Sequence, residues 1–172
     1  EIIPIYGINT KHFKPKKPNL ALKKKLGIKK EKIIIYSGRI EPEKGTSYLI
    51  KALDKIKDKI NIKLIILGVG DDEERVKNLV KELKLENYVK FIGWAPYKEL
   101  PDYYNLADMM VFPSFIEGLG FSPIEALACE KFVIATNVGG VPDYTIHKKT
   151  GLLIRPKNTQ DIIDAVLWGF KN

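Results

Sequence analysis

The chain has 172 residues, 45% of them hydrophobic, a formal net charge of +8 and one cysteine, Cys129. This suits one globular domain with its own core and excludes a disordered segment. A single cysteine excludes an intrachain disulfide and suits a reducing, cytoplasmic setting; the apolar runs are too short to cross a bilayer, and none reads as a secretory leader.

The first residues, "EIIPIYG", form an apolar, strand-like run without a methionine, so the chain is expected to be a piece of a longer protein. Lysine is densest from Lys11 to Lys32, in "KHFKPKKPNLALKKKLGIKKEK". A surface for nucleic acid or anionic lipid is one reading of that stretch. A solvated face is the expected one, because nucleic-acid readers mix in arginine and stacking aromatics. "KIIIYSG" (Lys32–Gly38) predicts a buried strand, and "GTSYLIKALDKIKDK" a helix with Leu49, Ile50, Leu53 and Ile56 on one stripe. "KLIILG" predicts the second strand. "DDEERVKNLVKELKL" predicts a helix capped by its acidic start, Asp71–Glu74, with Val76, Leu79, Val80 and Leu83 inward. The strand "YVKFIG", a helix over "YKELPDYYNLA" and the strand "DMMVFP" follow. A helix from Pro123 to Cys129 leads into "FVIAT"; "TGLLI" is the last strand and "TQDIIDAVLWGF" the closing helix.

Apolar strands separated by helices predict an α/β fold: one doubly wound, Rossmann-like domain over residues 1–172, with a parallel sheet of about six strands. Ligands of such sheets bind at the carboxyl ends of the strands. Glycines follow the strands there: Gly38, Gly45, Gly68, Gly70, Gly93, Gly118, Gly120, Gly139 and Gly140. A dinucleotide fingerprint is absent. "GRIEPEKG" lacks its spacing, and "GVGDDE" has Glu73 where the third glycine belongs and an acidic helix start that repels pyrophosphate.

"SGRIEPEKG" offers anions a better place, with Arg39 and Lys44 flanking a turn just before a helix start. The alternative is that both cations pair with Glu41 and Glu43 on an exposed loop. In "PSFIEGLGFSPIEALACE", Ser122, Pro123 and Glu125 fit the N-cap, first-turn and N3 positions of a capping box, which gives Glu125 a structural explanation. Glu117 has none; it follows a strand and precedes glycines that let backbone amides approach a ligand. Carboxylates on both sides of such a turn suit the hydroxyls of two sugars around a diphosphate. Tyr103 and Tyr104 read as packing, and His12 and His147 as loop residues.

These stretches, in this order and almost end to end, resemble the carboxyl-terminal domain of retaining, nucleotide-sugar-dependent glycosyltransferases with two Rossmann-like domains (GT-B). That family includes glycogen synthase, sucrose synthase and lipid mannosyltransferases. The resemblance is carried by "YSGRIEPEKG", "WAPYKELPDYYNLADMMVFPS", the Glu-x7-Glu element from Glu117 to Glu125, and "GGVP". It implies a catalytic set of Glu117 beside the donor sugar and Arg39 and Lys44 on the diphosphate. It also implies Glu125 on the ribose, and contacts from Gly118, Leu119, Gly120, Phe121 and Ser122 to sugar or phosphate. Gly38, Gly68, Gly70, Trp94 and Ala95 would flank the nucleotide, and Gly139 and Gly140 would help line the cleft. Metal-dependent glycosyltransferases use an Asp-x-Asp element; nothing similar follows a strand, so neither a metal nor another cofactor is expected. The implied partners are a UDP-, GDP- or ADP-linked sugar, an amino-terminal domain of the same protein, and an acceptor sugar, glycan or lipid. Nucleic acid is not expected, and a membrane surface is a weaker implication.

The chain departs from the family pattern at Glu130, where the glycine ending a helix is usual, at Phe132, where proline is usual, at Asp143, which replaces a glutamate, and at Asn9, which stands where aspartate is common. Alternatives to the enzyme half are a non-catalytic nucleotide-sugar-binding module and a sugar-nucleotide epimerase. A phosphorylase would need a lysine-bound pyridoxal phosphate, for which no site is recognisable.

Overall fold

Six short runs of isoleucine, leucine, valine and methionine become six parallel strands, because strands apolar on both faces are stable only when both faces are covered. The computed structural model describes residues 7–172, so the opening apolar run lies outside the described residues except for Gly7. In chain order the elements are α1 (Leu20–Lys25), β1 (Lys32–Ser37), α2 (Thr46–Ile56), β2 (Ile62–Leu67), α3 (Glu73–Glu82), β3 (Val89–Gly93), α4 (Leu100–Leu106), β4 (Met109–Phe112), α5 (Phe121–Ala128), β5 (Phe132–Thr136), β6 (Gly151–Ile154) and α6 (Thr159–Lys171).

The strands lie in the order β3-β2-β1-β4-β5-β6, all neighbours parallel. This is the doubly wound α/β arrangement read from the sequence. The order reverses between β1 and β4, which share only the pairs Ile34–Met109 and Ile35–Met110. That switch point leaves a crevice at the carboxyl ends, where the connections diverge. Helices α3, α2 and α6 pack side by side, and α4 packs on α5. The stripe Leu49, Ile50, Leu53 and Ile56 is buried, as are Val76 and Val80, while Leu79 and Leu83 pack at the core's margin. No helix among the described residues is long and apolar enough to cross a membrane.

Three local departures have physical causes. Helix α1 was not among the elements read from the sequence; it is only six residues long, capped by Asn19, whose Oδ1 accepts from the Leu22 amide at 3.0 Å. The stretch read as one helix over "YKELPDYYNLA" begins as a 3-10 turn at Tyr97–Glu99 before α4, which carries Pro101 in its first turn. In α3 the N-cap residue Asp72 makes no side-chain cap bond; its carboxylate instead grips Arg75, with Nε–Oδ1 at 2.5 Å and Nη2–Oδ2 at 2.6 Å.

Helix α5 ends in a Schellman arrangement. The Glu130 amide donates to the Leu127 carbonyl at 2.9 Å, and the Lys131 amide to the Ala126 carbonyl at 2.9 Å. This places Glu130 in the left-handed region at φ 57, where a side chain is strained. Lys84 holds the equivalent place after α3 at φ 55, and Gly27 after α1 at φ 68. Glu130→Gly should therefore raise the unfolding free energy by about 1 kcal/mol, measured by urea denaturation, with Lys84→Gly behaving alike. A loss of stability at both positions would mean that side-chain contacts there outweigh the backbone preference.

Candidate functional site

The loops that leave β1 and β4 are stitched together across the switch point. After β1, Tyr36 donates its hydroxyl to the Arg39 carbonyl at 2.5 Å, and a 3-10 turn at Pro42–Lys44 leads to Gly45. Gly45 adopts φ 68, and a Cβ there would lie 2.1 Å from the Pro113 carbonyl oxygen, so only glycine lets the two loops meet. The Phe115 amide then donates to the Glu43 carbonyl at 2.6 Å. Across this seam the Lys44 ammonium donates to the Glu117 carboxylate at 2.9 Å and approaches the Ile116 carbonyl at 3.4 Å. The two side chains are only 13% and 16% exposed, so their attraction is weakly screened. Lys44 thus pairs with Glu117 and not with Glu41 or Glu43. Arg39 is exposed, and no ion pair among the described residues includes it.

Beside this pair lies a cleft of about 230 Å³ whose walls include Ser37, Gly38, Arg39, Gly68, Trp94 and Ala95. Val69, 48% exposed, and Trp94, 73% exposed, give it apolar rims. Ser37 links the cleft to Glu125. Tyr104, fully buried, donates its hydroxyl to Glu125 Oε2 at 2.7 Å and lies 3.1 Å from Ser37 Oγ; with its one proton on Glu125, it accepts there. Burial pushes the Glu125 carboxyl above its ordinary range, and the Tyr104 hydroxyl and the nearby His12 pull it back. His12 itself stacks on Tyr97, with ring centroids 4.5 Å apart, and its Nε2 lies 3.0 Å from the Tyr97 carbonyl oxygen.

The expected capping box does not form. Helix α5 starts at Phe121, with Gly120 at φ 73 in the N-cap position and no side-chain cap bond. Ser122 and Pro123 therefore fall inside the first turn, and Glu125 is committed to Tyr104 instead. Gly118, Leu119, Gly120, Phe121 and Ser122 form the turn between β4 and α5. Gly139 and Gly140 brace that turn from behind: a Cβ on Gly139 would lie 1.9 Å from the Glu117 carbonyl oxygen, and the Gly140 amide donates to the Gly118 carbonyl at 2.7 Å. Gly70 likewise packs on the Ile40 backbone, where an added Cβ would lie 2.3 Å from the Ile40 carbonyl oxygen, and it is not among the residues that wall the cleft. The predicted residues thus meet along one edge in two groups, Arg39 with the cleft and Lys44 with Glu117 and its turn.

Residues 19–172 match the family model described as glycosyl transferases group 1. The chain belongs to the group 1 glycosyltransferases. It is 36% identical over 146 residues to an uncharacterized glycosyltransferase of Methanocaldococcus jannaschii, covering 82% of this chain and 37% of that protein. It is 31% identical over 169 residues to a GDP-mannose-dependent phosphatidylinositol monomannoside mannosyltransferase of Mycobacterium tuberculosis, covering 93% of this chain and 44% of that one. The chain therefore spans less than half the length of these relatives. Among solved structures, the carboxyl-terminal domain of a group 1 glycosyltransferase from Francisella tularensis superposes with a TM-score of 0.84 at 29% identity, covering 96% of this chain and 89% of that one. Anabaena HepE, solved with UDP-glucose, gives 0.88 at 25% identity over 96% of this chain and 46% of its own. The fold is that of the GT-B carboxyl-terminal domain.

Within this group 1 glycosyltransferase domain, sequence reasoning missed three hydroxyls. Tyr104 holds Glu125, Ser37 joins Tyr104 to the cleft, and Tyr144 donates to the Gly120 carbonyl at 3.2 Å beside Glu117. Burial raises the Tyr144 phenol well above its ordinary range, with Glu117 and Asp143 adding to it, so it stays a donor at neutral pH. Tyr104→Phe should cost about 1–3 kcal/mol of stability by leaving Glu125 without its buried donor, read by denaturant unfolding. Because the folded chain holds the Glu125 proton more tightly than the unfolded chain, that group favours folding most below its ordinary value of 4.5. Its contribution falls as pH rises through the raised folded value. Glu125→Gln should accordingly raise the melting temperature at neutral pH and flatten its decline between acid and neutral buffer; an unchanged pH profile would count against a raised carboxyl.

Proposed function

We propose that this chain is the donor-binding half of a retaining, metal-independent glycosyltransferase, which moves a hexose from a nucleotide diphosphate sugar to an acceptor. The observation that carries the reading is the placement of Lys44, Glu117 and Arg39 around the switch-point crevice, next to a cleft with apolar rims. Trp94, Val69 and Ala95 would sandwich the base. The second oxygen of Glu125, left over by Tyr104, would accept from the ribose hydroxyls. Arg39 and Lys44 would bind the diphosphate, each charge-assisted bond being worth roughly 1.5–3 kcal/mol. Glu117, relieved of Lys44, would face the hexose hydroxyls, and the amides from Gly118 to Ser122 would contact the sugar or phosphate.

In the reaction the bond between the anomeric carbon and the phosphate oxygen breaks, and negative charge builds on the departing diphosphate. Fixed cations aimed at that charge stabilise the transition state more than the ground state. They would do so here without a metal. The acceptor, a sugar, glycan or lipid, would be brought by an amino-terminal domain of the same protein, so the chain alone should bind nucleotide and turn over little donor. One relative is named as GDP-mannose-dependent and HepE was solved in complex with UDP-glucose, which leaves the base open among UDP, GDP and ADP.

Calorimetric titration with UDP, GDP and ADP tests this. One diphosphate should bind best, and Lys44→Ala should weaken all three by about tenfold or more, with Arg39→Ala acting in the same direction. Glu125→Ala should weaken ribonucleotides more than their 2′-deoxy forms. If none of these substitutions alters binding, the assigned roles are wrong; a normal rate of sugar transfer by the chain alone would overturn the division between two domains.

A further inference from the structure

The positive charge of this chain is confined to one part of it. Residues 1–30 hold nine lysines against the single acid Glu1, whereas residues 31–172 hold twenty basic and twenty acidic side chains. The whole net charge of +8 therefore resides in the first segment, which a general lysine bias along the chain does not explain. In the balanced remainder, lysines such as Lys44, Lys57, Lys63 and Lys77 are paired with carboxylates. Among the described residues, no ion pair takes in any of the nine, eight of which are exposed and one, Lys23, half-buried.

The segment also presents an apolar side chain outward. Leu22 and Leu26 pack against the core, but Leu20 is 73% exposed. Leu20, Lys23 and Lys24 lie three and four positions apart on α1 and so share a face. Together with Gly27, Ile28 and Lys29 they wall one shallow basin of about 230 Å³. An exposed leucine ringed by unpaired ammonium groups is the pattern of a peripheral interfacial contact, with cations at the headgroups and an apolar group at the acyl boundary.

We propose that this lysine face docks the domain on an anionic lipid bilayer. Nucleic acid fits the same charge less well: the segment has no arginine for phosphate forks, its Phe13 is 1% exposed, and His12 is already stacked on Tyr97. The inference is independent of the sugar-transfer reading, because none of its residues belongs to the crevice.

Co-sedimentation with vesicles of phosphatidylcholine, with and without about one-third phosphatidylserine, tests it. Partitioning should be strong on the anionic vesicles, negligible on the zwitterionic ones and suppressed at about 0.5 M salt. Each lysine near the surface contributes roughly fivefold, so the triple variant Lys23→Glu, Lys24→Glu, Lys29→Glu, which removes three positive charges and adds three negative ones, should lose well over about a hundredfold. The milder pair Lys24→Gln and Lys29→Gln should lose roughly twenty-five-fold while keeping the wild-type circular dichroism and melting temperature. Leu20→Asp should weaken anionic-vesicle binding, and none of these variants should change nucleotide titration. Equal partitioning on both vesicle types, an unaltered triple variant, or full displacement by a phosphate-matched amount of RNA would each overturn the proposal.

Discussion

An ammonium and a carboxylate 2.9 Å apart, one from each side of the β1/β4 boundary, govern the carboxyl edge of this sheet. Neither charge is stable alone at that depth, since desolvation of an unpaired ion costs several kcal/mol. The pair therefore demands that the loop after β1 and the loop after β4 arrive together. The chain meets that demand with backbone contacts that only glycine permits, at Gly45 against Pro113 and at Gly139 against Glu117. In the proposed reading, a ligand that carries a diphosphate and a sugar would offer each charge a replacement partner. A rigid seam with exchangeable partners keeps the reorganisation cost of binding low.

The second carboxylate is handled differently. Glu125 is pushed toward protonation by burial and held by one donor, Tyr104. Tyr104 bonds only one of the carboxylate oxygens, and because Glu125 is half-buried the other is open to donors from outside the fold. The proton of Tyr104 also fixes which oxygen remains available. Glu117 and Glu125 thus differ in kind, one neutralised by a cation and one desolvated beside a neutral donor, although the sequence presents them as equivalents eight positions apart.

The strands were legible because residues such as Ile33 to Tyr36 are apolar on both faces, a pattern that only a covered sheet stabilises. Glu117 was legible for a negative reason: nothing in its neighbours gave it a local task. Glu125 misled for the converse reason. Ser122 and Pro123 supplied a local pattern for a capping box, but Gly120 took the N-cap and a tyrosine 21 positions upstream took the carboxylate. Local rules cannot anticipate such a partner, since Tyr104 has ordinary helical spacing and declares its role only when α4 is laid against β1 and α5. The glycines show the same limit. Their positions after strands marked the edge, yet the backbone contacts of Gly70 with Ile40 and of Gly139 with Glu117, which their lack of a Cβ allows, were not legible from spacing.

The lysine-bearing segment and the crevice are mechanically joined. Asn105 of α4 accepts from the Lys16 amide at 2.7 Å and donates to the Lys14 carbonyl at 3.0 Å, and Asn19 donates to Asp102 at 3.0 Å. One residue before Asn105 stands Tyr104, the donor to Glu125, and in the 3-10 turn that precedes α4 Tyr97 carries the His12 ring, which acts on the same carboxyl. The strap that carries the cations is therefore bonded to the helix that positions a proposed ribose ligand. Any surface that seats those lysines fixes the orientation of the crevice through α4, by bonds already present and without a hinge. The strap's cations and the proposed donor ligands thus lie on opposite sides of one packing contact, the buried Phe13 ring of the strap against the buried Tyr104 ring of α4, with centroids 5.9 Å apart.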